Sequence, residues 1–184
     1  YKNEYNDFKI AIEKQTKATK TATDTTTEVE RLIQQGDSAY KSKNYKQAIA
    51  CYQKVILTTP TDKETLLKLG NLYRLTKNLN KATYYYNEAI KVDNNYADAW
   101  FNLGLTYANQ RNFNSSINCF DKVIGIDSDY ALAYYALGLA YEYKNENEKA
   151  IENYTKYTKY EKDKKLIDTV NNKIQQLKQM PQWK

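Results

Sequence analysis

Residues 97–130 read ADAWFNLGLTYANQRNFNSSINCFDKVIGIDSDY, and residues 131–164 read ALAYYALGLAYEYKNENEKAIENYTKYTKYEKDK. The two stretches align without a gap and place Gly104 and Gly138 at their eighth positions. Gly36 and Gly70 continue the same 34-residue spacing toward the N-terminus. A fixed period of this size indicates a repeated supersecondary unit. The sequence therefore predicts four repeats, 29–62, 63–96, 97–130 and 131–164.

Other residues fall into columns around these glycines. Small residues follow each glycine by twelve positions, namely Ala48, Ala82, Ser116 and Ala150. Rings follow by sixteen positions, namely Tyr52, Tyr86, Phe120 and Tyr154. Small side chains at two positions let two antiparallel helices approach closely, and the ring fills the space beside them. Each unit is predicted to be a helical hairpin that buries its apolar face by stacking on its neighbours.

These columns resemble the tetratricopeptide repeat family, whose pattern is W-x-x-L-G-x-x-Y, then A-x-x-x-F and a proline. The position four residues before each glycine is large and apolar or aromatic, as in Leu32, Leu66, Trp100 and Tyr134. The resemblance covers residues 29–164. It implies an all-α fold, a right-handed α-solenoid of four helix-turn-helix repeats. It also implies a non-catalytic scaffold or adaptor that binds another protein.

The proline that ends each second helix is present only as Pro60. Asn94, Ser128 and Lys162 hold the equivalent positions, and asparagine and serine still interrupt helices. Lysine is a good helix former, so the second helix of the fourth unit is predicted to continue into the following segment.

Residues 165–184 are predicted to form a C-terminal capping helix, because apolar residues recur there at helical spacing and Pro181 ends the run. The apolar residues are Leu166, Ile167, Val170, Ile174 and Leu177. Such a helix covers the open apolar face of the last hairpin.

Residues 1–28 form an N-terminal extension in which Tyr1, Tyr5, Phe8 and Ile12 make a short apolar stripe. Three interpretations of the stripe stay open: it packs on the first hairpin, continues a membrane helix lost upstream, or docks into the groove of a neighbouring chain. The last makes a homo-oligomer through residues 1–15. Thr27 and Glu30 resemble a capping box, which places the start of the first repeat helix at Glu28.

In the family, the first helices line a concave groove and contact ligands through the second, fifth, ninth, twelfth and thirteenth positions of each unit. Asn102, at a sixth position, borders the same face. Carried over by position, the expected partner-groove residues are Tyr40, Leu67, Asn71, Arg74, Phe101, Asn102, Leu105, Tyr135, Leu139 and Tyr143.

The groove becomes more apolar toward the C-terminus. Six of its side chains are predicted to be unnecessary for packing between helices, namely Leu67, Phe101, Leu105, Tyr135, Leu139 and Tyr143. A contiguous exposed apolar strip indicates a binding surface, here for an apolar or aromatic protein or peptide segment. The alternative is that the capping helix or the N-terminal stripe covers the strip.

One subset of the family binds the C-terminal carboxylate of heat-shock chaperones through lysine, asparagine and basic residues of three successive units. Here Asn71 and Asn102 match, but Leu67, Leu132 and Ala136 replace the basic residues. No chaperone-tail binding is expected.

The chain has a formal net charge of +6. Lys43, Lys77 and Arg111 form a basic ladder at 34-residue spacing, while acidic residues gather at the opposite edge. This is the distribution that helix dipoles and N-caps favour. Because the third unit is negatively charged and no nucleic-acid motif is present, nucleic-acid binding is not expected.

An enzymatic function is not expected, because the chain has no histidine and no phosphate-binding glycine-rich motif. Cys51 and Cys119 occupy one column of the second helices, where a small apolar residue fits, so they are interpreted as structural. No cofactor and no metal site are predicted.

No run of residues is long and apolar enough to cross a membrane. The predicted location is cytoplasmic, with membrane attachment only through a segment lost upstream of Tyr1. Besides the adaptor, two functions stay open: a self-associating structural component and a membrane-tethered assembly factor.

Overall fold

The computed structural model describes residues 24–179, and within this range every regular element is an α-helix. The chain divides into two compact units, Tyr1–Pro60 and Thr61–Lys184. The N-terminal stripe, the proposed contact through residues 1–15 and Pro181 lie outside the described residues. The helices are α1 (24–41), α2 (Tyr45–Thr58), α3 (Lys63–Leu75), α4 (Leu79–Val92), α5 (Ala97–Asn109), α6 (Phe113–Ile126), α7 (Ala131–Tyr143), α8 (Asn147–Tyr160) and α9 (Lys164–Gln179).

The predicted all-α class of helical hairpins is confirmed. In the larger unit, α3 pairs with α4, α5 with α6 and α7 with α8. A Cβ on Gly70 would lie 2.4 Å from Cε1 of Tyr86, and the other three repeat glycines meet their rings equally closely. The small column is completely buried, at 0% exposure for Ala48, Ala82, Ser116 and Ala150. Each hairpin therefore closes by pressing a ring of its second helix against a glycine of its first.

A three-residue turn links the two helices of every hairpin. In the second repeat the N–H of Lys77 donates to the Arg74 carbonyl, and the N–H of Asn78 donates to the Tyr73 carbonyl. This pair of bonds defines the Schellman motif, and it recurs in all four repeats. Its central residue has a left-handed backbone, with φ of 60°, 62°, 60° and 61° at Lys43, Lys77, Arg111 and Asn145.

The residue after the left-handed position begins the second helix. The side chains of Asn44, Asn78 and Asn112 accept hydrogen bonds from the backbone N–H groups of Gln47, Lys81 and Ser115. Each asparagine thus ends one helix through its N–H and caps the next through its side chain. Glu146 stands at the fourth such position, and its side chain makes no cap hydrogen bond.

The prediction that the second helix of the fourth unit continues through Lys162 is wrong. Helix α8 ends at Tyr160, and Glu161 adopts an extended backbone with φ −72° and ψ 143°. The Glu161 carboxylate accepts the N–H groups of Lys162 and Asp163, at 2.8 and 2.9 Å. Asp163 then accepts the N–H of Lys165 at 2.8 Å, at the start of α9. The acidic side chain before Lys162 stabilises the break by satisfying the freed donors.

The same position is acidic after α4 and α6. Asp93 accepts the N–H of Asn95, and Asp127 accepts the N–H of Asp129, both at 3.0 Å. The carbonyls of the two residues that replace proline are also used, because Trp100 donates to Asn94 and Tyr134 donates to Ser128. Helix ends that lack proline are therefore fixed by side-chain hydrogen bonds.

The predicted start of the first repeat helix at Glu28 is also wrong. Residues 24–27 are already helical in α1. An N-cap residue requires a non-helical backbone, so Thr27 cannot be the cap. Glu28 instead pairs with Arg31 one turn later, at 2.6 Å.

Helix α9 has the predicted capping role. Val170, Ile174 and Leu177 are buried and share a cluster with Tyr154 and Tyr157 of α8. It packs on α8 as α5 packs on α4 and α7 on α6. Leu166 differs from the prediction, since it remains 46% exposed on the outer side of the helix.

Candidate partner-binding groove

Nine of the ten predicted groove residues lie on three first helices of the larger unit. These helices are α3, α5 and α7, and each contacts the next. Apart from Asn102, which follows Phe101 directly, these residues are spaced by three or four along each helix, so they share one side, which we call the groove face. They are Leu67, Asn71 and Arg74 on α3, Phe101, Asn102 and Leu105 on α5, and Tyr135, Leu139 and Tyr143 on α7.

The tenth residue, Tyr40, lies on α1 in the smaller unit. Its ring is 48% exposed, and its centroid lies 6.1 Å from that of Tyr45. This arrangement leaves much of an aromatic surface open to solvent.

The groove face is half-buried along its apolar part. The Phe101 centroid lies 5.6 Å from that of Phe120 and 5.2 Å from that of Tyr130. Tyr135 lies 5.6 Å from Tyr154 and 5.2 Å from Tyr157. Leu105 and Leu139 likewise pack against clusters of buried side chains.

The prediction that these four side chains are unnecessary for packing between helices is therefore wrong. The physical reason is the repeat glycine. Since it has no side chain, the ring of the second helix reaches across the first helix and contacts its fifth position. Only the outer surfaces of these side chains remain for a partner.

Three groove-face positions are strongly exposed and apolar. Tyr143 is 70% exposed, Leu132 51% and Leu75 49%. The Tyr143 ring stacks on Phe113 of α6, with centroids 5.1 Å apart. Because exposed Tyr143 is held against partly buried Phe113, it offers a rigid apolar surface for a partner.

The tyrosines at the ring positions of the repeats donate hydrogen bonds to polar residues of the groove. Tyr86 donates to Oδ1 of Asn71 and Tyr154 donates to Oε2 of Glu142, both at 2.7 Å, and Tyr52 donates to Asp37. In the third repeat the ring is Phe120, which has no hydroxyl, and the corresponding groove positions are Leu105 and Ala108. Asp37, Asn71 and Glu142 are thus polar groove residues that accept from a buried hydroxyl.

These buried phenols have altered acidities. Burial, and then the hydrogen bond to Glu142, raises the pKa of Tyr154 far above its usual range. Burial, and then Asp37, does the same to the pKa of Tyr52. Burial also raises the pKa of Tyr86, although the neighbouring Arg74 guanidinium opposes the shift. The rings therefore stay protonated donors at physiological pH.

At the C-terminal end of the groove face, a lysine of α9 neutralises an acidic side chain of α7. Glu142 accepts from Tyr154 and pairs with Lys173 of α9 at 3.0 Å. The Lys173 ammonium also lies 5.7 Å from the centre of the Tyr154 ring. The capping helix therefore neutralises the carboxylate at this end, while Tyr143 stays exposed.

Asn102 is less available than predicted. Its side-chain amide donates to the Asp98 carbonyl at 2.8 Å, one turn earlier on the same helix. Tyr130 was missing from the predicted set, although it packs on Phe101 and donates to Asp98 at 3.2 Å. The recurrence of tyrosine at Tyr96 and Tyr130, 34 residues apart, was the sequence signal for it.

The basic ladder is explained by the turns. Lys43, Lys77 and Arg111 each hold the left-handed position after a first helix, where cations complement the negative end of the helix dipole. At the other end of α3, Asp62 caps the helix by accepting the N–H groups of Glu64 and Thr65. Both sets of charges therefore have structural roles.

The described part of the chain, residues 24–179, contains no group of three or more His, Cys, Asp or Glu side chains that could bind a metal ion. Cys51 and Cys119 are both buried and unpaired by disulfides. Burial raises the pKa of the Cys119 thiol to about 12, which disfavours the reactive thiolate. None of the helices in this range is long and apolar enough to cross a membrane.

Family models match most of the repeat region. A model described as TPR repeat matches residues 70–110, and models described as tetratricopeptide repeat match residues 29–62, 97–130 and 131–164. Among curated proteins there is no match.

The fold is similar to several solved structures. A crystal structure of MamA has 29% identity and a TM-score of 0.74, covering 82% of this chain and 80% of that chain. A second MamA structure has 28% identity and a TM-score of 0.67, covering 77% and 91%. YrrB, described as a TPR protein with an unusual peptide-binding site, has 24% identity and a TM-score of 0.66, covering 74% and 71%. At that identity the last similarity concerns the fold alone.

Proposed function

Because the chain belongs to the tetratricopeptide repeat family, we propose that it is a non-catalytic scaffold that binds a segment of a partner protein on the groove face. The observation that carries the proposal is the apolar surface on adjacent first helices, where half-buried Phe101 and Tyr135 lead to strongly exposed Tyr143. Surfaces of this kind on a folded domain mark binding sites.

The chemistry of the groove face favours a segment with apolar or aromatic anchors. Phe101 and Tyr135 are held in place by rings beneath them, so they lose little conformational entropy on binding. Rigid rings of this kind supply contact area at low entropic cost. The absence of a hydroxyl in Phe120 leaves the centre of the face, around Leu105, without a polar group to satisfy.

The test compares partner recovery by two surface variants. The groove variant carries Leu132→Glu and Tyr143→Glu, which place charge on exposed positions of the groove face. The control carries Tyr84→Glu and Val92→Glu, at exposed positions of α4, 57% and 40% exposed. All four side chains are exposed, so both variants should keep the fold, which circular dichroism checks.

Each variant is used for crosslinking and affinity recovery from the source cells, followed by quantitative mass spectrometry. The control is expected to recover the same partners as the unmodified protein, whereas the groove variant loses them. Equal recovery by both variants would show that the groove face is not the binding surface.

A further inference from the structure

A cluster of exposed lysines lies where α8 ends and α9 begins. Its members are Lys159, Lys162, Lys164 and Lys165. Among the described residues none of the four forms an ion pair, whereas neighbouring Lys156 pairs with Glu152 at 2.7 Å. We call these four lysines and Leu166 the basic corner.

The two acidic residues of the same stretch bind backbone groups. The Glu161 carboxylate accepts the N–H groups of Lys162 and Asp163, at 2.8 and 2.9 Å. Asp163 accepts the N–H groups of Lys165 and Leu166, at 2.8 and 3.4 Å. The donors at the start of α9 are therefore already satisfied within the chain, and a partner of the basic corner meets the lysine side chains.

The helix dipoles do not account for the lysines of α9. Lys159 lies in the last turn of α8, where a cation is favoured. Lys164 and Lys165 lie in the first turn of α9, where the dipole disfavours positive charge. Lys63 begins α3 in a comparable way, but it pairs with Asp93 at 2.6 Å. Two unpaired cations at the start of α9 oppose the stability of that helix, which indicates a role outside the fold.

An exposed apolar side chain lies among these charges. Leu166 is 46% exposed, although Val170, Ile174 and Leu177 of the same helix are buried. Side chains in the first turn of a helix lean toward its N-terminus, so Leu166 lies beside the lysines at the end of α9. Lysines around an exposed leucine suit an anionic bilayer, because the ammonium groups attract the headgroups and the apolar side chain enters the interface.

Nucleic acid is the alternative polyanion, and two features disfavour it. The basic corner contains no arginine, the residue that binds phosphates and guanine in a two-pronged geometry. The ring of Tyr160, which ends α8, is also occupied. Tyr134 stacks on it with centroids 5.4 Å apart, and the Lys159 ammonium lies 5.3 Å from its centre. A nucleic-acid base therefore finds no open ring on which to stack.

We propose that the basic corner binds the surface of an anionic lipid bilayer, with the lysines at the headgroups and Leu166 in the interface beneath them. None of its residues belongs to the groove face, so the inference goes beyond the proposed function and does not rest on it. Such contact is peripheral and requires no membrane-spanning helix. It is also weakened by salt, which screens exposed charges.

The test measures co-sedimentation of the full-length protein with lipid vesicles at about 0.15 M salt. One set of vesicles consists of phosphatidylcholine alone, and the other contains about one third phosphatidylserine. A fluorescent single-stranded oligonucleotide is the third ligand, measured by fluorescence anisotropy. Binding is expected to the anionic vesicles alone, and it should weaken as the salt concentration is raised.

The double variant Lys164→Gln/Lys165→Gln should bind the anionic vesicles about 25-fold more weakly, since each lysine near such a surface contributes roughly fivefold. It should fold at least as stably as the unmodified protein, because the two charges oppose the helix dipole, and thermal unfolding checks this. The control is Lys43→Gln/Lys77→Gln, which removes the same charge at exposed turns and should bind normally. Leu166→Ser keeps the charge and should weaken binding by a smaller factor.

Failure to bind the anionic vesicles, or equal binding to both sets, refutes the proposal. Equal weakening by the control variant also refutes it, because this would indicate attraction by net charge alone. Oligonucleotide binding that is lost in Lys164→Gln/Lys165→Gln, without binding to vesicles, would assign the basic corner to nucleic acid instead. If Leu166→Ser binds vesicles as tightly as the unmodified protein, the leucine does not enter the interface and that part of the proposal is wrong.

Discussion

Gly70 and Tyr86 lie so close that a Cβ on the glycine would be 2.4 Å from Cε1 of the ring. The ring has no exposed surface, so it cannot turn away without displacing the core of its hairpin. Glycine therefore recurs every 34 residues because each hairpin needs this close contact between its first and second helices.

Gly70→Ala is expected to lower the free energy of unfolding by about 1–3 kcal/mol, because the added methyl group overpacks the contact with Tyr86. Gly125→Ala is the matched control. Gly125 lies near the end of α6, and a Cβ there would meet nothing within 4 Å. Alanine should raise the free energy of unfolding by about 0.5–1 kcal/mol at that position. Urea denaturation followed by circular dichroism measures both, and shifts of the same sign would contradict the packing argument.

Lys77→Gly should stabilise the protein by about 0.5–1 kcal/mol. Lys77 has a left-handed backbone, which strains residues with a Cβ and suits glycine. Lys122→Gly makes the same chemical change inside α6 and should instead destabilise by about 1 kcal/mol. Thermal unfolding of the two variants tests the prediction. Destabilisation of Lys77→Gly would mean that its side chain contributes more than its backbone strain costs.

Stability is expected to fall above about pH 10, where the tyrosines of the unfolded chain ionise. Burial raises the pKa of Tyr154 in the folded state, so at alkaline pH the folded protein binds more protons than the unfolded chain. The contribution of Tyr154 is fully present below the unfolded pKa and is lost as pH rises, at about 1.4 kcal/mol per pH unit.

Tyr154→Phe should remove the contribution of this one tyrosine, about 1.4 kcal/mol per pH unit, from the slope of unfolding free energy against pH. Tyr84→Phe, at a ring that is 57% exposed, should leave the slope unchanged. Urea denaturation between pH 8 and pH 11, expressed as free energy against pH, compares the two. An identical slope for Tyr154→Phe and the unmodified protein would contradict the burial of this phenol.

Arg74→Met is expected to leave stability unchanged or to raise it by about 1 kcal/mol, since it removes a buried donor that lacks an acceptor. Arg31→Met, which removes an exposed ion pair, serves as a control with little expected effect on stability. A marked loss of stability in Arg74→Met would show that the side chain is held by the fold.

The hairpins could be predicted because glycine, small residue and ring recur at positions where close approach leaves few alternatives. The ends of the helices could be predicted less well. The prediction that α8 continues through Lys162 considered only the position of the missing proline. The residues whose side chains stabilise the helix ends are one place earlier, at Asp93, Asp127 and Glu161. The column of Asn44, Asn78 and Asn112 was present in the sequence, but its double role at the turn became visible only from the hydrogen bonds.

The groove positions followed from the resemblance, but their burial did not. Phe101 and Tyr135 rest on rings of the second helices, a contact that depends on the three-dimensional approach of the two helices. Phe113 was not expected at the edge of the groove, because it lies at the start of a second helix and meets Tyr143 only across two hairpins. The burial of the Arg74 Nε–H group without an acceptor likewise depends on three-dimensional packing.

The buried tyrosine hydroxyls have a consequence for how the groove can change over evolution. A substitution at Asn71 or Glu142 that removes the acceptor leaves the hydroxyl of Tyr86 or Tyr154 without a partner inside the protein. New binding specificity at those positions therefore tends to require a second substitution, from tyrosine to phenylalanine, in the core. The third repeat already has Phe120, so Leu105 and Ala108 can exchange among apolar residues singly. Adaptation to new partners is expected to start from that repeat.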